Sequence, residues 1–542
     1  MHLSRRTLLA GLASLGLAPL VPTAAASQST VQSQSVPETV ARTFRIGVPA
    51  KALSTDPAVT NDVETHRLAR QVYQNLIGVD AETGETVAEL ATDWTFSDDG
   101  LQLALELKHD VTFHDGTNLT ADVVVANFER WGSVNELLGE QRLRQVGRLP
   151  FSVVFGGYLD QEACLLTSVV ASSEHIVTLT FTEPVQALIR SLTHPAFAIS
   201  SPESWAEFDT ALQDGLPLVP LAGTGPYRWG DTSGETIGLE STNDGHDVAV
   251  LAIPNLHERL YGLDTQQLDV FDAVSPAILR QLVQSGYQVL QRDPLAVLYL
   301  GINQAHPVMQ NLHVRQAVAH ALFRGEMVDA VQLAGSYVAH QFNPPSLLER
   351  SEEVTTYSGD LNRATNLLAA AGYDGEPIEF WYPTGAERVY MTQPQKLFSY
   401  LAGRLTAAGF NIVAKPVSWD NGDYMSQVMG DPSDRALHLF GRNVYVRDPL
   451  YLLAELFEQP NREFGWRNNA VAKVLAEARV EEDSDVRTTM LEQVEAAISL
   501  DLPAIPLTFP ITALASGHDV EFYPISPVLD EQYERIQRRQ SS

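Results

Sequence analysis

Two histidine–aspartate pairs, His109-Asp110 and His114-Asp115, lie close together in the segment 108–124. Imidazole and carboxylate groups bind metals and transfer protons, so these pairs could belong to a metal or acid–base site. Such a site needs further ligands, and the chain has no H-x-x-x-H or H-E-x-x-H motif to supply them. We therefore interpret both pairs as polar residues of a turn.

The residues around these pairs predict a strand before them and a helix after them. In "LQLALEL" (101–107) every second residue is leucine, which indicates a half-buried strand. Thr120 is a suitable N-cap, because its hydroxyl can accept a hydrogen bond from a free N–H of the first helical turn. Val124, Phe128 and Trp131 then follow at the spacing of a core-facing helical stripe. We expect a strand–turn–helix unit with both pairs at its polar joints.

The rest of the chain mixes the same two patterns. In "HIVTLTF" (175–181), Val177, Leu179 and Phe181 alternate with threonine, which predicts another half-buried strand. A second amphipathic helix is predicted from residues at i, i+4 spacing, namely Val486, Met490, Val494 and Ile498. This mixture is typical of an α/β fold in which helices cover the sheets.

Length and charge restrict the function. The 542 residues are enough for more than one domain, and 44% of them are hydrophobic. Asp and Glu number 67 against 36 Lys and Arg, a net charge of −31. Such a surface repels phosphate backbones, so we expect no nucleic-acid partner.

The first 26 residues are predicted to be a cleavable export signal. They combine Arg5-Arg6, an apolar run from Leu8 to Leu20 and a small-residue end at Ala24 to Ala26. The segment around Arg5-Arg6 resembles a twin-arginine signal, which implies export of a folded bacterial protein. No later apolar run reaches the ~18 residues of a membrane span. We expect a mature protein outside the cytoplasm, in the periplasm or cell-envelope space.

The single cysteine, Cys164, excludes several kinds of site. It cannot form a disulfide within one chain or supply a multi-cysteine zinc site. Bacterial lipoproteins carry a cysteine at the start of the mature chain, and no such lipobox cysteine is present. We expect Cys164 to be a small, buried, hydrophobic residue.

Five blocks of the sequence, in one collinear order, resemble family 5 extracellular solute-binding proteins, the dipeptide, oligopeptide and nickel receptors of ABC importers. The blocks are residues 91–131, "GTGPYRW" (223–229), residues 298–331, "LNRATNLLAAAGYDG" (361–375) and "LPAIPLTFP" (502–510). Together they span almost the whole mature chain.

The resemblance implies a two-lobed periplasmic-binding-protein fold of the α/β class, with the ligand cleft between the lobes. The first lobe is expected to be discontinuous and to comprise residues 27–80, 222–296 and 503–542, with an extra subdomain at 81–221. The second lobe is expected at 297–502. Closure of the lobes would capture the ligand, which is then delivered to a permease.

The resemblance also implies a carboxylate-binding arginine. Dipeptide receptors of this family carry an Arg-x-Tyr motif in the second lobe, and "GAERVYMTQPQKL" places Arg388 and Tyr390 on it. A planar guanidinium binds a carboxylate well, and the pairing strengthens in a closed cleft. An internal salt bridge of Arg388 is the alternative.

A second loop departs from the family pattern. In "FGRNVYVRDPLYLL" (440–453), Tyr445 stands where dipeptide receptors have the acid for the ligand's amine. A buried amine would lose its counter-charge there, which disfavours free dipeptides. Arg442, Asn443 and Arg447 offer donors instead, which suits an anionic ligand or a longer peptide. Either arginine could equally be an ordinary surface charge.

Further ligand contacts are expected from both lobes. Ser54 and Thr55 lie in the loop after the first strand, which lines the cleft in this family. Trp381 and Trp419 could form apolar walls of a side-chain pocket, or could pack in the core.

These features together predict a binding protein and not an enzyme. The chain has no G-x-S-x-G, G-x-x-x-x-G-K-[ST] or C-x-x-C motif, and we expect neither a cofactor nor a metal ligand set. The expected partners are a peptide or peptide-like ligand and the ABC permease with its ATPase subunits, and the protein is expected to be a monomer. One alternative is a receptor for a metal chelate, whose carboxylates the Arg442 and Arg447 loop would bind. Another is a receptor that passes its ligand state to a signalling partner.

Overall fold

The computed structural model describes residues 43–80, 83–215, 217–385, 387–419, 422–430 and 434–539. Residues 42–542 form a single unit, and the predicted export signal at 1–26 lies outside the described residues. No helix in the described ranges has both the length and the apolar character needed to cross a membrane.

The chain mixes helices with single strands and with runs of consecutive strands, such as those in residues 74–107 and 227–252. The strands are β1 Phe44–Val48, β2 Gln74–Asn75, β3 Ile77–Val79, β4 Thr86–Ala88, β5 Ala91–Phe96, β6 Gln102–Leu107, β7 Leu166–Ser173, β8 Ile176–Phe181, β9 Ala198–Ile199, β10 Tyr227–Trp229, β11 Thr236–Ser241, β12 Val248–Ala252, β13 Val270–Phe271, β14 Gln288–Arg292, β15 Ala296–Ile302, β16 Tyr337–Val338, β17 Pro377–Thr384, β18 Asn411–Ser418, β19 Arg435–Asn443, β20 Ala504–Phe509, β21 Thr512–Ser516, β22 Val520–Phe522 and β23 Gln537–Arg538.

Helices lie in about half of the connections between consecutive strands. They are α1 Val63–Val72, α2 Ala121–Gly132, α3 Val134–Val146, α4 Pro150–Phe155, α5 Leu188–Ser191, α6 Trp205–Ala211, α7 Leu256–Asp264, α8 Pro276–Gln284, α9 Leu312–Ala321, α10 Arg324–Val331, α11 Leu361–Ala371, α12 Pro394–Ala408, α13 Asp423–Met429, α14 Pro449–Phe457, α15 Asn469–Val480 and α16 Ser484–Asp501.

A seven-stranded mixed sheet forms the centre of what we call the first lobe. Its strand order is β10-β11-β12-β1-β13-β21-β14, with β1 parallel to both β12 and β13. Phe44, Ile46 and Val48 of β1 are buried, as expected for a strand with neighbours on both edges and helices over its faces. A separate four-stranded sheet, β5-β6-β8-β7, belongs to the subdomain expected at 81–221.

A six-stranded sheet forms the centre of the second lobe. Its order is β16-β20-β15-β19-β17-β18, and every residue of β15 is buried. The chain passes between the two large sheets at 293–295 and again at 510–511. The expected boundary after residue 502 would put β20 in the first lobe, whereas β20 pairs with β15 in the second-lobe sheet. The apolar sequence "AIPLTF" fits a buried strand in either sheet, so its pairing could not be read from its pattern.

The predicted strand–turn–helix unit is confirmed. Leu103, Leu105 and Leu107 of β6 are fully buried. The Thr120 hydroxyl caps α2 by accepting a hydrogen bond from the Val123 N–H at 3.4 Å. Three residues of the predicted stripe on α2 are also buried, namely Val124, Phe128 and Trp131. The burial predicted for Cys164 is confirmed as well.

The predicted strand in 175–181 is confirmed as β8, and its alternate residues Val177, Leu179 and Phe181 are buried. The stripe predicted on α16 is wrong at its first residue, since Val486 is 45% exposed whereas Val494 and Ile498 are buried. A strict i, i+4 series rotates by about 40° at each step around a helix of 3.6 residues per turn, so its two ends face different directions.

Candidate functional site

The cleft between the two lobes contains three adjoining cavities. The central cavity has a volume of about 40 Å³ and is lined by residues of both lobes, among them Asp62, His66, His194, Arg388, Tyr390, Trp419, Asn443, Tyr445 and Glu455. A cavity of about 270 Å³ adjoins it and shares Asn61, Met429, Arg442 and Glu455. A third, of about 630 Å³, shares Val146, Trp419 and Met425.

Arg388 is the positive charge of the central cavity. It lies between β17 and α12, is 2% exposed, and its guanidinium stacks over Trp419 with 4.5 Å from Cζ to the ring centroid. Its Nη2 donates to Asp62 Oδ1 at 3.2 Å, while Nε and Nη1 have no hydrogen-bond partner among the described residues. Burial alone would lower the Arg388 pKa, but the Asp62 carboxylate and neighbouring groups raise it above its usual value. Arg388 therefore stays charged and can offer the N–H groups of two nitrogens, Nε and Nη1, to a ligand.

Asp62 faces Arg388 from the first lobe, and sequence reasoning missed it. Asp62 is the N-cap of α1, where its Oδ2 accepts hydrogen bonds from the Thr65 N–H at 2.8 Å and the Thr65 hydroxyl at 3.1 Å. The sequence "TNDVET" signals such a cap, because an aspartate precedes a helical segment. It carries no signal that the second oxygen would bind an arginine 326 positions away.

Tyr445 lies against two histidines that were also missed. Its ring is edge-on to His66 at 4.9 Å and to His194 at 5.1 Å, measured between ring centroids. His66 Nε2 lies 3.3 Å from the Pro57 carbonyl oxygen and 3.1 Å from that of Thr60. Two carbonyl acceptors require a proton on Nε2, so Nδ1 of the neutral ring is an acceptor.

Both histidines are uncharged at neutral pH. Burial lowers the pKa of His66 to about 4, and burial also lowers the pKa of His194 well below its usual value. His194 Nδ1 accepts a hydrogen bond from the Ala196 N–H at 3.0 Å, whereas His66 Nδ1 has no partner among the described residues. The two rings that contact Tyr445 are therefore polar but uncharged, and the nearest first-lobe charge that lines this cavity is the Asp62 carboxylate.

The two loop arginines behave differently from Arg388. Arg442 lines the central cavity, but it is engaged by Glu455 at 2.9 Å and by Glu463 at 3.1 Å within the second lobe. Arg447 does not line the central cavity. Its guanidinium packs over Gly84, and its backbone carbonyl accepts a hydrogen bond from Arg190 at 3.0 Å.

Some of the remaining predicted contacts line the central cavity and others do not. Tyr390, Asn443 and Trp419 line the central cavity. Ser54, Thr55 and Trp381 are buried and line none of the three cavities. Each has an internal partner: Ser54 accepts from the Asp56 N–H, Thr55 donates to the Val219 carbonyl, and Trp381 donates to Glu379.

The two histidine–aspartate pairs lie at polar joints and line none of the three cavities. His114 Nε2 contacts the Gly225 carbonyl oxygen at 2.9 Å, and Asp115 accepts from the Thr117 N–H at 2.9 Å, which closes a turn. The His109 ring contacts the His175 ring in a tilted arrangement, with 3.9 Å between the ring centroids. Within the described ranges, no three His, Cys, Asp or Glu side chains come together as a metal site requires.

Comparison with known proteins gives concordant matches. The family model for bacterial extracellular solute-binding proteins, family 5 Middle, matches residues 85–453. A dipeptide-binding protein of Escherichia coli is 22% identical over 493 residues, which cover 86% of this chain and 88% of that protein. Heme-binding protein A of Haemophilus influenzae is 24% identical over 549 residues, covering 96% and 95%.

Solved structures share the fold. The crystal structure of a dipeptide-binding protein from Pseudoalteromonas sp. SM9913, in complex with Met-Leu, superposes with a TM-score of 0.80 at 22% identity. The superposition covers 92% of this chain and 100% of that one. The two-lobed α/β architecture expected from the sequence is thereby confirmed.

Proposed function

This chain belongs to the bacterial extracellular solute-binding proteins of family 5, and from that premise we propose that it captures a carboxylate-bearing, peptide-like ligand between its lobes. The ligand is then delivered to the permease of an ABC importer. The observation that carries this proposal is Arg388, a buried and charged guanidinium in the interlobe cavity whose Nε and Nη1 have no hydrogen-bond partner among the described residues.

A carboxylate is the ligand group that this guanidinium suits. A buried cation that lacks hydrogen-bond acceptors is costly, and a carboxylate supplies both acceptors and the opposite charge. Trp419 restricts the guanidinium on one face, so less side-chain freedom is lost on binding. We propose that Tyr390, Asn443 and Tyr445 complete the ligand contacts of the second lobe. Arg442 is proposed to hold the Glu455 side chain in position at the cavity wall.

Closure is supported by ion pairs that join the lobes. Besides Arg388 with Asp62, Arg259 of the first lobe contacts Glu387 of the second lobe at 2.6 Å. Arg148 of the subdomain pairs with Glu458 of the second lobe. These contacts exist only when the lobes are close, so they favour the same closed arrangement that a bridging ligand would favour.

The expected first-lobe contacts need a different role. Ser54 and Thr55 lie behind the cavity, and the Ser54 N–H donates to the Thr65 hydroxyl, which in turn donates to Asp62. We propose that they hold Asp62 in place and do not touch the ligand. Trp381 and Arg447 are proposed to support the second-lobe sheet and the lobe contact at Gly84, respectively.

The physiological setting forms part of the proposal. We propose that a cleaved export signal at residues 1–26 sends the protein out of the cytoplasm, where it acts as a monomer and partners a permease with its ATPase subunits. Its activity is binding and release, without chemical conversion of the ligand.

Native mass spectrometry of the protein purified from its own host tests the proposal. We expect a co-purified molecule that carries at least one carboxylate and that is released on unfolding. A co-purified metal isotope pattern with a polycarboxylate would favour the chelate receptor instead. A ligand without any carboxylate would contradict the role given to Arg388.

A further inference from the structure

The wall opposite Arg388 has an unusual character for a site that would receive an amine. Tyr445 lies in the loop between β19 and α14, and its hydroxyl is buried. His66 and His194 pack edge-on against its ring, and all three line the central cavity. The three side chains form what we call the neutral wall.

The neutral wall offers a hydrogen-bond acceptor without a charge. His66 is 1% exposed, its Nε2 is fixed as a donor by two backbone carbonyls, and its Nδ1 remains an acceptor without a partner among the described residues. An unsatisfied buried acceptor costs free energy until a donor reaches it. A ligand N–H or O–H group is the simplest donor to fill this position.

The acids that line the central cavity are already engaged. Asp62 uses Oδ1 for Arg388 and Oδ2 for the Thr65 backbone and hydroxyl. Glu455 accepts from Arg442 at 2.9 Å, and burial raises the Glu455 pKa, which disfavours its charged form. An ammonium buried at the neutral wall would therefore lack a carboxylate of its own.

We propose that the cleft selects carboxylates whose neighbouring nitrogen is uncharged, such as N-acylated or internally cyclised peptides, over peptides with a free amino terminus. Arg388 takes the carboxylate, and His66 Nδ1 with Tyr445 takes the uncharged N–H. This inference rests on the proposed function and narrows its ligand class.

Two matched peptide pools test the inference. One pool contains short peptides of mixed sequence with free amino termini, and the other is the same pool after N-acetylation. The full mature protein, unfolded and refolded to remove cargo, is dialysed against both pools together, and retained peptides are counted by mass spectrometry. We expect acetylated peptides to be retained about tenfold or more over their free counterparts, because the free amine lacks a counter-charge.

Three variants identify the wall as the cause. Tyr445→Asp places a carboxylate at the wall and should shift retention toward the free-amine pool. Tyr445→Phe keeps the ring and its neutrality, so it should keep the preference while weakening retention by about twofold to tenfold, the usual range for one hydrogen bond. Ser426→Asp adds the same charge to the neighbouring 630 Å³ cavity and should leave the preference unchanged.

The outcomes separate this inference from the proposed function. Equal or greater retention of the free-amine pool by the unaltered protein overturns the neutral-wall selection and leaves the carboxylate role of Arg388 standing. Retention of neither pool overturns the proposed peptide-like ligand, and the selection with it. If Tyr445→Asp does not fold, as judged by its melting temperature, the unaltered protein and Tyr445→Phe still decide the matter.

Discussion

Arg388 of the second lobe and Asp62 of the first lobe meet across the cleft, with 3.2 Å between Nη2 and Oδ1 and both side chains 2% exposed. Asp62 has a second role in this arrangement, because its side chain also caps α1. A ligand carboxylate would have to share Arg388 with Asp62, and lobe closure and ligand recognition therefore depend on the same guanidinium.

Asp62→Asn should weaken closure and leave the fold intact. Asparagine caps helices about as well as aspartate, so α1 keeps its first turn, while the charge attraction to Arg388 is lost. We expect a larger radius of gyration of the cargo-free variant in small-angle X-ray scattering and a melting temperature lowered by several degrees, because a buried Arg388 without its carboxylate is destabilising until the lobes open. An unaltered scattering profile would show that this pair does not contribute to closure.

Glu458→Gln should destabilise the closed protein strongly. Glu458 is 8% exposed and lies between Arg148 of the subdomain and Arg479 of the second lobe. Removing its charge leaves two arginines without their carboxylate, which costs about 3–5 kcal/mol for a buried pair. Urea denaturation measures the loss, and exposed Glu477→Gln on α15 serves as the control with a change below about 0.5 kcal/mol.

The Glu458 carboxylate should also make the stability of the folded protein depend on pH. Burial opposes the charged form of Glu458, but Arg148 and Arg479 outweigh burial and hold its pKa below the usual value. The folded protein therefore releases this proton more readily than the unfolded chain, and the stabilisation is present above the unfolded pKa. It should fade as the pH falls through the folded pKa, and Glu458→Gln should lack this component in denaturation curves measured between pH 7 and pH 3.

Glu495 should make the stability of the folded protein depend on pH with the opposite sign. It is buried on α16 and pairs with no cation among the described residues, and it accepts hydrogen bonds from the Phe342 and Asn343 N–H groups. Burial raises its pKa from the usual 4.5 to about 7, so between these two pH values the folded protein holds a proton that the unfolded chain has already lost. Stability from this group is therefore lost as the pH rises from about 4.5 to about 7, on the order of 3 kcal/mol.

Glu495→Gln should remove that loss, because glutamine can accept the same backbone hydrogen bonds without ionising. The expected result is a smaller fall in unfolding free energy between pH 5 and pH 8 than in the unaltered protein. Identical pH profiles would show that Glu495 does not titrate in this range.

The sequence predicted the fold and part of the cleft. Local patterns were sufficient for β6, α2 and β8, because alternation and capping depend on neighbouring residues. Resemblance to a family placed Arg388 and Tyr390 on a loop that does reach the central cavity. The pairing of β20 could not be obtained in this way, because an apolar strand carries no mark of the sheet that it joins.

The site residues that the sequence did not predict correctly share one physical explanation. Which partner a charged side chain finds depends on distances created by the fold. Arg442 is of a residue type that suits a ligand contact, yet its guanidinium forms ion pairs with Glu455 and Glu463. Asp62 and His66 look like ordinary residues of a helix start, and only lobe closure brings them to Arg388 and Tyr445.

Calorimetric titration with the co-purified ligand tests the central claim most directly, in a cycle that combines Arg388→Gln with a ligand whose carboxylate has been converted to an amide. Each single change should cost about 2–5 kcal/mol of binding free energy, the range for removing one partner of a buried charge pair. The two changes together should cost little more than either alone, because both remove the same contact. Unchanged affinity of Arg388→Gln, or fully additive losses, would contradict the assignment of Arg388 as the carboxylate anchor.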